Sequence, residues 1–321
     1  MSQDSPPPAP SSNDEWTVRK VLEWTTAHLK KHGSDTPRLD AEVLLAHARG
    51  CRRIQLYTAF DEPLTAAVRA TMRDLVQRRA QAEPVAYLVG HREFFSLDFR
   101  VTRDVLIPRP DTETLVMEVI DVIKSSTTAS ASEAQARPAL KVLDLCTGSG
   151  CVAIAVAKHC QTQKLNVHVT ATDISSAALA IAKENAARHG IDDRVEFFEG
   201  DLCAALPPDA TFDIIASNPP YVRTSEIESL DRDVARHEPR LALDGGASGF
   251  DVIDRLITQA PRHAATGAVF LMELSPEQAD SAQQRLQSQG SYSDITLRKD
   301  LAGRPRVLRA VITPVPCERK Q

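Results

Sequence analysis

From Leu140 onward the chain alternates short apolar runs with longer amphipathic ones, and no other feature constrains its fold so tightly. "LKVLDL", "VHVTAT", "VEFF", "FDIIAS" and "AVFLMEL" are short, apolar and rich in branched or aromatic residues, as buried strands are. "SGCVAIAVAKHC", "SSAALAIAKENAARHG", "GFDVIDRLITQAPRH" and "SPEQADSAQQRLQSQG" have helical spacing. Strand–helix repetition predicts a parallel sheet with helices on both faces. The end departs from the pattern. Only "LAGRP" separates "YSDITLRKD" from "RVLRAVIT", too little for a crossover helix, so these two strands are expected to pair antiparallel. The expected core is an α/β, Rossmann-like sheet of seven strands, five wound in parallel and two in a closing hairpin. No internal repeat is evident.

The chain has 321 residues, room for a second domain. Glu15–Lys31 carries Val18, Val21, Leu22, Thr25 and Leu29 at helical spacing, and Gly33 follows as a stop. "RLDAEVLLAHARG" repeats the pattern to Gly50, and Thr65–Glu83 gives a third helix whose arginines read as a solvated face. In "FFSLDFRVT", Phe95, Leu97, Phe99 and Val101 alternate with polar residues, which predicts a half-buried strand within a hairpin. The prolines of "LIPRPDTE" make a rigid bend, and Asp111 or Thr112 is placed to cap the helix "TETLVMEVIDVIK". Ser125–Pro138 reads as a small-residue linker. The expected division is a disordered tail over 1–14, a helical domain over 15–90, a β-hairpin linker over 91–110 and the α/β domain over 111–321.

Net charge is −5, without the basic footprint of a dedicated nucleic-acid binder, so no stable nucleic-acid binding is expected. No apolar run is long enough to span a bilayer, and the acidic, Pro/Ser-rich start lacks the pattern of a signal peptide. The six cysteines (51, 146, 151, 160, 203 and 317) form no Cys-x-x-Cys pair, and in the sequence His91 and His237 have no metal-ligand residues at ligand spacing and read as structural. No metal is expected, and a reducing cytoplasm is the simplest home.

In open parallel sheets ligands sit at the carboxyl ends of strands. "VLDLCTGSGCVAIA" is strand, glycine-rich turn and helix, where Gly148 and Gly150 permit positive φ and close approach of a ligand. The next two strand ends carry acids. Asp173 is placed to accept both hydroxyls of a ribose; Asp201 is placed to accept from an adenine amino group, with Leu202 packing on the ring. Each acid alone also reads as a cap or turn residue. Together, in chain order, they suit an adenosine cofactor better than a dinucleotide, since no third glycine or basic partner for a pyrophosphate is evident. The fourth strand ends in Asn218-Pro219-Pro220-Tyr221. Prolines fix φ and lack an N–H, so the backbone is stiff there. The Asn218 amide oxygen and the Pro219 carbonyl make two acceptors suited to an –NH₂ group, and Tyr221 offers a π face.

This corner resembles the Asn/Asp-Pro-Pro-Tyr signature of amino-methyltransferases that use S-adenosylmethionine. "TPRLDAEVLLAHA", "PVAYLVGHREFFSLDFRVTRDVLIPRPDTE", "VLDLCTGSGCVAIA", "SNPPYV" and "DLAGRPRVL" are similar, in matching order, to the peptide-chain release factor glutamine N5-methyltransferases. The resemblance runs from about Trp16 to Ile312. It implies an N-terminal helical domain that docks the protein substrate and a seven-stranded class I methyltransferase domain. The implied activity is methylation of the glutamine side chain in a Gly-Gly-Gln segment of release factors. The cofactor loop then falls on Cys146, Thr147, Gly148, Ser149 and Gly150, with Asp173 at the ribose and Asp201 and Leu202 at the adenine. Asn218, Pro219, Pro220 and Tyr221 fall on the substrate loop, with Asn218, Pro219 and Tyr221 in the catalytic role and Asn218 also beside the cofactor. Many relatives have glycine where Cys146 stands, and some an aromatic residue at Leu202. Arg109, between two prolines, is placed either to contact substrate or cofactor or to pack at the hinge. Phe94 and Phe95 are candidates for the glutamine pocket, though one of them belongs in the core.

Four other readings stay open on these residues: methylation of a ribosomal-protein glutamine, adenine N6-methylation of nucleic acid, a non-catalytic scaffold, and an oxidoreductase. The first two share the corner. The last two leave it unexplained.

Overall fold

The computed structural model describes residues 15–127 and 138–313. The expected tail over 1–14, most of the expected linker and Cys317 lie outside the described residues. The chain forms two compact units, one of residues up to His91 together with Leu230–His237, the other of Arg92–Ser229 and the rest.

The first unit is helical. It contains α1 (Val18–Lys31), α2 (Pro37–Arg49), α3 (Gln55–Thr58), α4 (Ala66–Ala80) and α5 (Val85–Val89). Thr17 and Thr65 cap α1 and α4 by accepting the N–H groups of Lys20 and Val68, and Gly50 ends α2 in the left-handed conformation. Leu22, Leu29, Leu44, Leu45, Leu75 and Val76 form its core. The last two arginines of α4 correct the expected solvated face. Arg79 Nε pairs with Asp40 Oδ2 at 2.7 Å, with side chains only 12% and 7% exposed. Arg78 reaches Glu83, itself buried. A buried acid needs a partner, and helix periodicity does not show which arginine turns inward.

The second unit opens with β1 (His91–Phe94) and β2 (Leu97–Arg100). The expected strand began at Phe95, but Phe95 and Ser96 form the turn, with φ of 51° and 59°. Two successive left-handed residues give the twist that a two-residue hairpin needs. Phe94 is buried in the core, whereas Phe95 packs at its margin and donates its N–H to Glu113. Next, α6 spans Glu113–Thr127, three residues into the expected linker. Asp111 and Thr112 do not cap it as expected. Pro110–Thr112 form a 3₁₀ turn leading directly into the helix, and the Thr112 hydroxyl is engaged elsewhere.

The remaining elements are β3 (Leu140–Leu145), α7 (Cys151–Thr162), β4 (Val167–Asp173), α8 (Ser176–Arg188), β5 (Val195–Glu199), β6 (Phe212–Ser217), α9 (Arg232–His237), which belongs to the first unit, α10 (Asp251–Gln259), β7 (Ala264–Glu273), α11 (Ala279–Gln289), β8 (Tyr292–Lys299) and β9 (Pro305–Ile312). The sheet order is β5-β4-β3-β6-β7-β9-β8, parallel except where β9 pairs β7 and β8. This is the expected seven-stranded fold. Neighbouring residues on one strand enter opposite cores. Val142, Ile214 and Leu271 face the side covered by α6, α7 and α8, while Leu143, Ile215 and Phe270 face α10 and α11. Register then builds the site. Leu145 lies beside both Thr172 and Ser217, so Cys146, Asp173 and Asn218 stand together where β3, β4 and β6 end.

Candidate active site

One cavity of the second unit gathers the strand ends. Its walls include Thr147, Gly148, Asp173, Leu202 and Asn218. Cys146, Ser149, Asp201 and Pro220 also line it; Gly150, Pro219 and Tyr221 do not.

The glycine loop is held from three sides. Gly148 N–H donates to Asp173 Oδ2 at 2.8 Å, and Ser175 N–H donates to Oδ1 at 2.9 Å. Asp173 therefore shapes the loop before it meets any ligand, and each oxygen keeps a lone pair. Burial raises its pKa even so. The Thr147 hydroxyl donates to Asp144 Oδ2 at 2.6 Å, and Ala153 N–H donates to the same oxygen at 3.2 Å. Desolvation pushes Asp144 up to about 7. On α8, Asn185 donates to the Ser149 carbonyl at 3.0 Å. Asp144 and Asn185 escaped the sequence reading.

Backbone conformation explains the loop's composition. Gly148 has φ +56 with nothing within 4 Å of an added Cβ, whereas at Gly150, φ +79, an added Cβ would lie 2.7 Å from Ile154 Cδ1. Gly148 keeps the cavity open; Gly150 lets α7 start against α8. Cys146 adopts φ +61, a conformation at home in glycine. Burial drives its thiol pKa well up, so the thiol stays protonated.

Asp201 is half-exposed and ion-paired to Arg255, a cavity residue that local pattern did not single out. Leu202 is 4% exposed, with φ +53, and belongs to the core as well as to the cavity wall. Ile174 lines the cavity and stays 50% exposed, which is unusual for a large apolar side chain. A second wall comes from Val105, Leu106, Pro108 and Arg109, and from Pro239, Leu241 and Ala242. Glu238 fixes it: the carboxylate accepts Ile107 N–H at 3.2 Å and pairs with Arg109. Arg109 is thus a cavity residue with its charge already matched.

The proline corner is stapled from behind. Gln278 Nε2 donates to the carbonyls of Tyr221 and Gly249, both at 3.0 Å, and Gly245 N–H donates to Val222 O at 2.8 Å. A Cβ on Gly245 would lie 2.8 Å from Tyr221 Cα. Asn218 Nδ2 donates to Thr112 Oγ1 at 3.3 Å. Tyr221 is half-buried against the core, and burial with the nearby Glu273 charge pushes it up to about 12.

The residues present fit an adenosine-bearing cofactor. Ser149 Oγ is buried without a hydrogen-bond partner, Gly148 leaves open space, and acids stand at the two following strand ends. Among the described residues no cluster of His, Cys, Asp and Glu has metal-site geometry, and no helix is long and apolar enough to cross a membrane.

Comparison with known proteins places this geometry. Residues 20–90 match the family described as PrmC N-terminal domain, and residues 121–247 match the methyltransferase small domain. Among solved structures, the hMettl16 catalytic domain in complex with the MAT2A 3′UTR hairpin 6 superposes with a TM-score of 0.52 at 15% identity, covering 75% of this chain and 82% of that one. That likeness speaks to the fold alone. The release factor glutamine methyltransferase of Geobacter sulfurreducens is 42% identical, over 83% of this chain and 87% of its own. That of Rhodopirellula baltica is 47% identical, over 94% of this chain and 98% of its own. Near full-length identity of this order, carried by both parts of the chain, shows that it belongs to the release factor glutamine methyltransferase family.

Proposed function

We propose that this protein moves the methyl group of S-adenosylmethionine to the side-chain amide nitrogen of the glutamine in the Gly-Gly-Gln segment of peptide-chain release factors. One observation carries the reading: the glycine loop and Asn218 open onto the same cavity. We assign the docking of the factor to the helical domain over 15–90. Adenine N6-methylation meets the same acceptors, but neither the net charge of −5 nor the family favours it.

S-adenosylmethionine supplies an electrophilic methyl group whose departure leaves a neutral thioether, so the difficult chemistry belongs to the cofactor. The protein has to place and hold. Gly148 and Ser149 border the space for the amino-acid end, Asp173 accepts the ribose hydroxyls, and Leu202 with Ile174 flanks the base beside Asp201. An amide nitrogen is a poor nucleophile because its lone pair is delocalised. Asn218 Oδ1, at the cavity wall, accepts one of its N–H bonds, holds the nitrogen in line and draws electron density onto it; the carbonyl of Pro219, a buried residue outside the cavity lining, is assigned as the second acceptor because it adjoins Asn218 in the stiff corner. With the cofactor bound, methyl transfer would leave positive charge on the nitrogen, and the Asn218 and Pro219 oxygens are the groups that would stabilise it. Its proton then leaves to water. Tyr221 lies outside the cavity lining, so its part is to anchor the stiff corner. The second wall, from Val105 to Arg109, confines the glutamine side chain.

The test is transfer of labelled methyl to a release factor, to the same factor with its Gly-Gly-Gln glutamine replaced, to a ribosomal protein and to DNA. Transfer to the intact factor alone supports the reading. Transfer to DNA or to the ribosomal protein without the factor overturns it.

A further inference from the structure

Beneath the proline corner lies a buried polar cluster that the reaction, as described, does not use. Thr112 and Glu273 are each 2% exposed and come from the turn before α6 and from the end of β7. Thr112 Oγ1 accepts from Asn218 Nδ2 at 3.3 Å. A hydroxyl that accepts there keeps one proton to donate, and Glu273, whose Oε2 is buried with no hydrogen-bond partner of its own, is the acceptor assigned to it. The nearby Thr112 and Asn218 side chains favour the ionised carboxylate, against a burial that pushes it up to about 7. An ionised carboxylate only accepts, so it sets the direction of the chain: Asn218 to Thr112, Thr112 to Glu273. Both amide protons of Asn218 then lie on the interior side, and Oδ1 is left for the cavity that Asn218 lines. Arg306, 6% exposed, pairs with Asp111 Oδ2 at 2.7 Å and so pins the turn that carries Thr112.

We propose that Glu273 and Thr112 are positioning residues that turn the Asn218 amide so that its oxygen, and not its NH₂, faces the substrate nitrogen. This rests on the transfer reading above. If the amide were reversed, a donor would meet the incoming –NH₂ group and one of the two acceptors would be lost. Arg306 from β9, Asp111 from the turn before α6, Tyr221 from the proline corner and Cys151 from α7 also face the Glu273 charge. Protonated Glu273 is able to donate to Thr112, which frees the hydroxyl proton for Asn218 Oδ1 and removes the bias.

Thr112→Val removes the hydroxyl at nearly constant volume, and Thr112→Ser restores it. Thr112→Val is expected to lower kcat by roughly ten- to a hundredfold with cofactor Kd within about twofold, and Thr112→Ser to recover most of the loss. Wild-type kcat should fall as pH drops below about 7, and Glu273→Gln should be slow and lack that limb. A wild-type kcat in Thr112→Val overturns the proposal. So does loss of cofactor affinity in parallel with turnover, or a serine variant as slow as valine, because either would mark a structural role. Side-chain amide NMR of Asn218 in the cofactor-bound protein separates this from failure of the substrate reading. Its NH₂ protons should resist exchange in the wild type and exchange faster in Thr112→Val, whichever substrate is methylated. Equal exchange in the two proteins refutes the positioning role.

Discussion

Two glycines of the loop after β3 make separable demands, and an alanine at each tells them apart. At Gly150 an added Cβ would lie 2.7 Å from Ile154 Cδ1, 3.1 Å from Ala182 Cβ and 3.4 Å from Ala182 Cα, at φ +79. The left-handed conformation alone costs about 1–2 kcal/mol for a residue with a Cβ. Overpacking against α7 and α8 adds about 1–3 kcal/mol, less where Ile154 swings aside. Gly150→Ala should therefore lose roughly 2–5 kcal/mol of stability. At Gly148, φ +56, nothing lies within 4 Å, so only the conformational cost of about 1–2 kcal/mol applies. That open space belongs to the cavity, so on the proposed reading a methyl group there is expected to exclude cofactor. Urea unfolding without cofactor and calorimetry with S-adenosylmethionine measure the two quantities. Gly150→Ala should lose more stability, and Gly148→Ala should lose more cofactor affinity than its stability loss accounts for. If Gly148→Ala bound cofactor as tightly as the wild type, the loop would not be the cofactor's cradle.

Asn218→Ala should keep cofactor Kd within a few-fold and lose about a hundredfold or more in kcat, as measured by labelled-methyl transfer and calorimetry. At Cys146, φ +61, Cys146→Gly should be about 1 kcal/mol more stable than Cys146→Ala in urea unfolding, since only the alanine keeps a Cβ in left-handed backbone. Asp144 and Glu273 are raised to about 7 in the folded protein, from 3.8 and 4.5. Between the ordinary carboxylate range and about pH 7 the folded state binds more protons than the unfolded, so their contribution to stability falls as pH rises through that window and levels off above it. Glu273→Gln should remove its share of that slope in unfolding measured at several pH values.

The sheet was legible because β3, β4, β6 and β7 are short, largely apolar runs, each with a helical period between it and a later strand. The absence of a crossover between "YSDITLRKD" and "RVLRAVIT" predicted the antiparallel pair, as found. The turn at Phe95–Ser96 was not legible, because it uses two left-handed residues without the glycine or asparagine that usually announces them. In the site, the glycine loop, Asp173 and Asn218 could be read because each ends a strand. Their supports could not. Glu238 stands 131 residues from Ile107, Arg255 54 from Asp201, and Asn218 106 from Thr112. Such pairs exist only once strand register has brought separate segments to one edge of the sheet. Arg78 and Arg79 failed for a different reason: which arginine of α4 turns inward depends on the buried acids Glu83, just past the helix end, and Asp40, on α2, and helix periodicity alone does not show that.

The most direct measurement is tandem mass spectrometry of a release factor after incubation with this protein and labelled S-adenosylmethionine. One label is expected, on the side-chain nitrogen of the Gly-Gly-Gln glutamine, and it should be nearly lost when Asn218 is alanine. A label on another residue, or undiminished labelling by Asn218→Ala, would contradict the proposed reading.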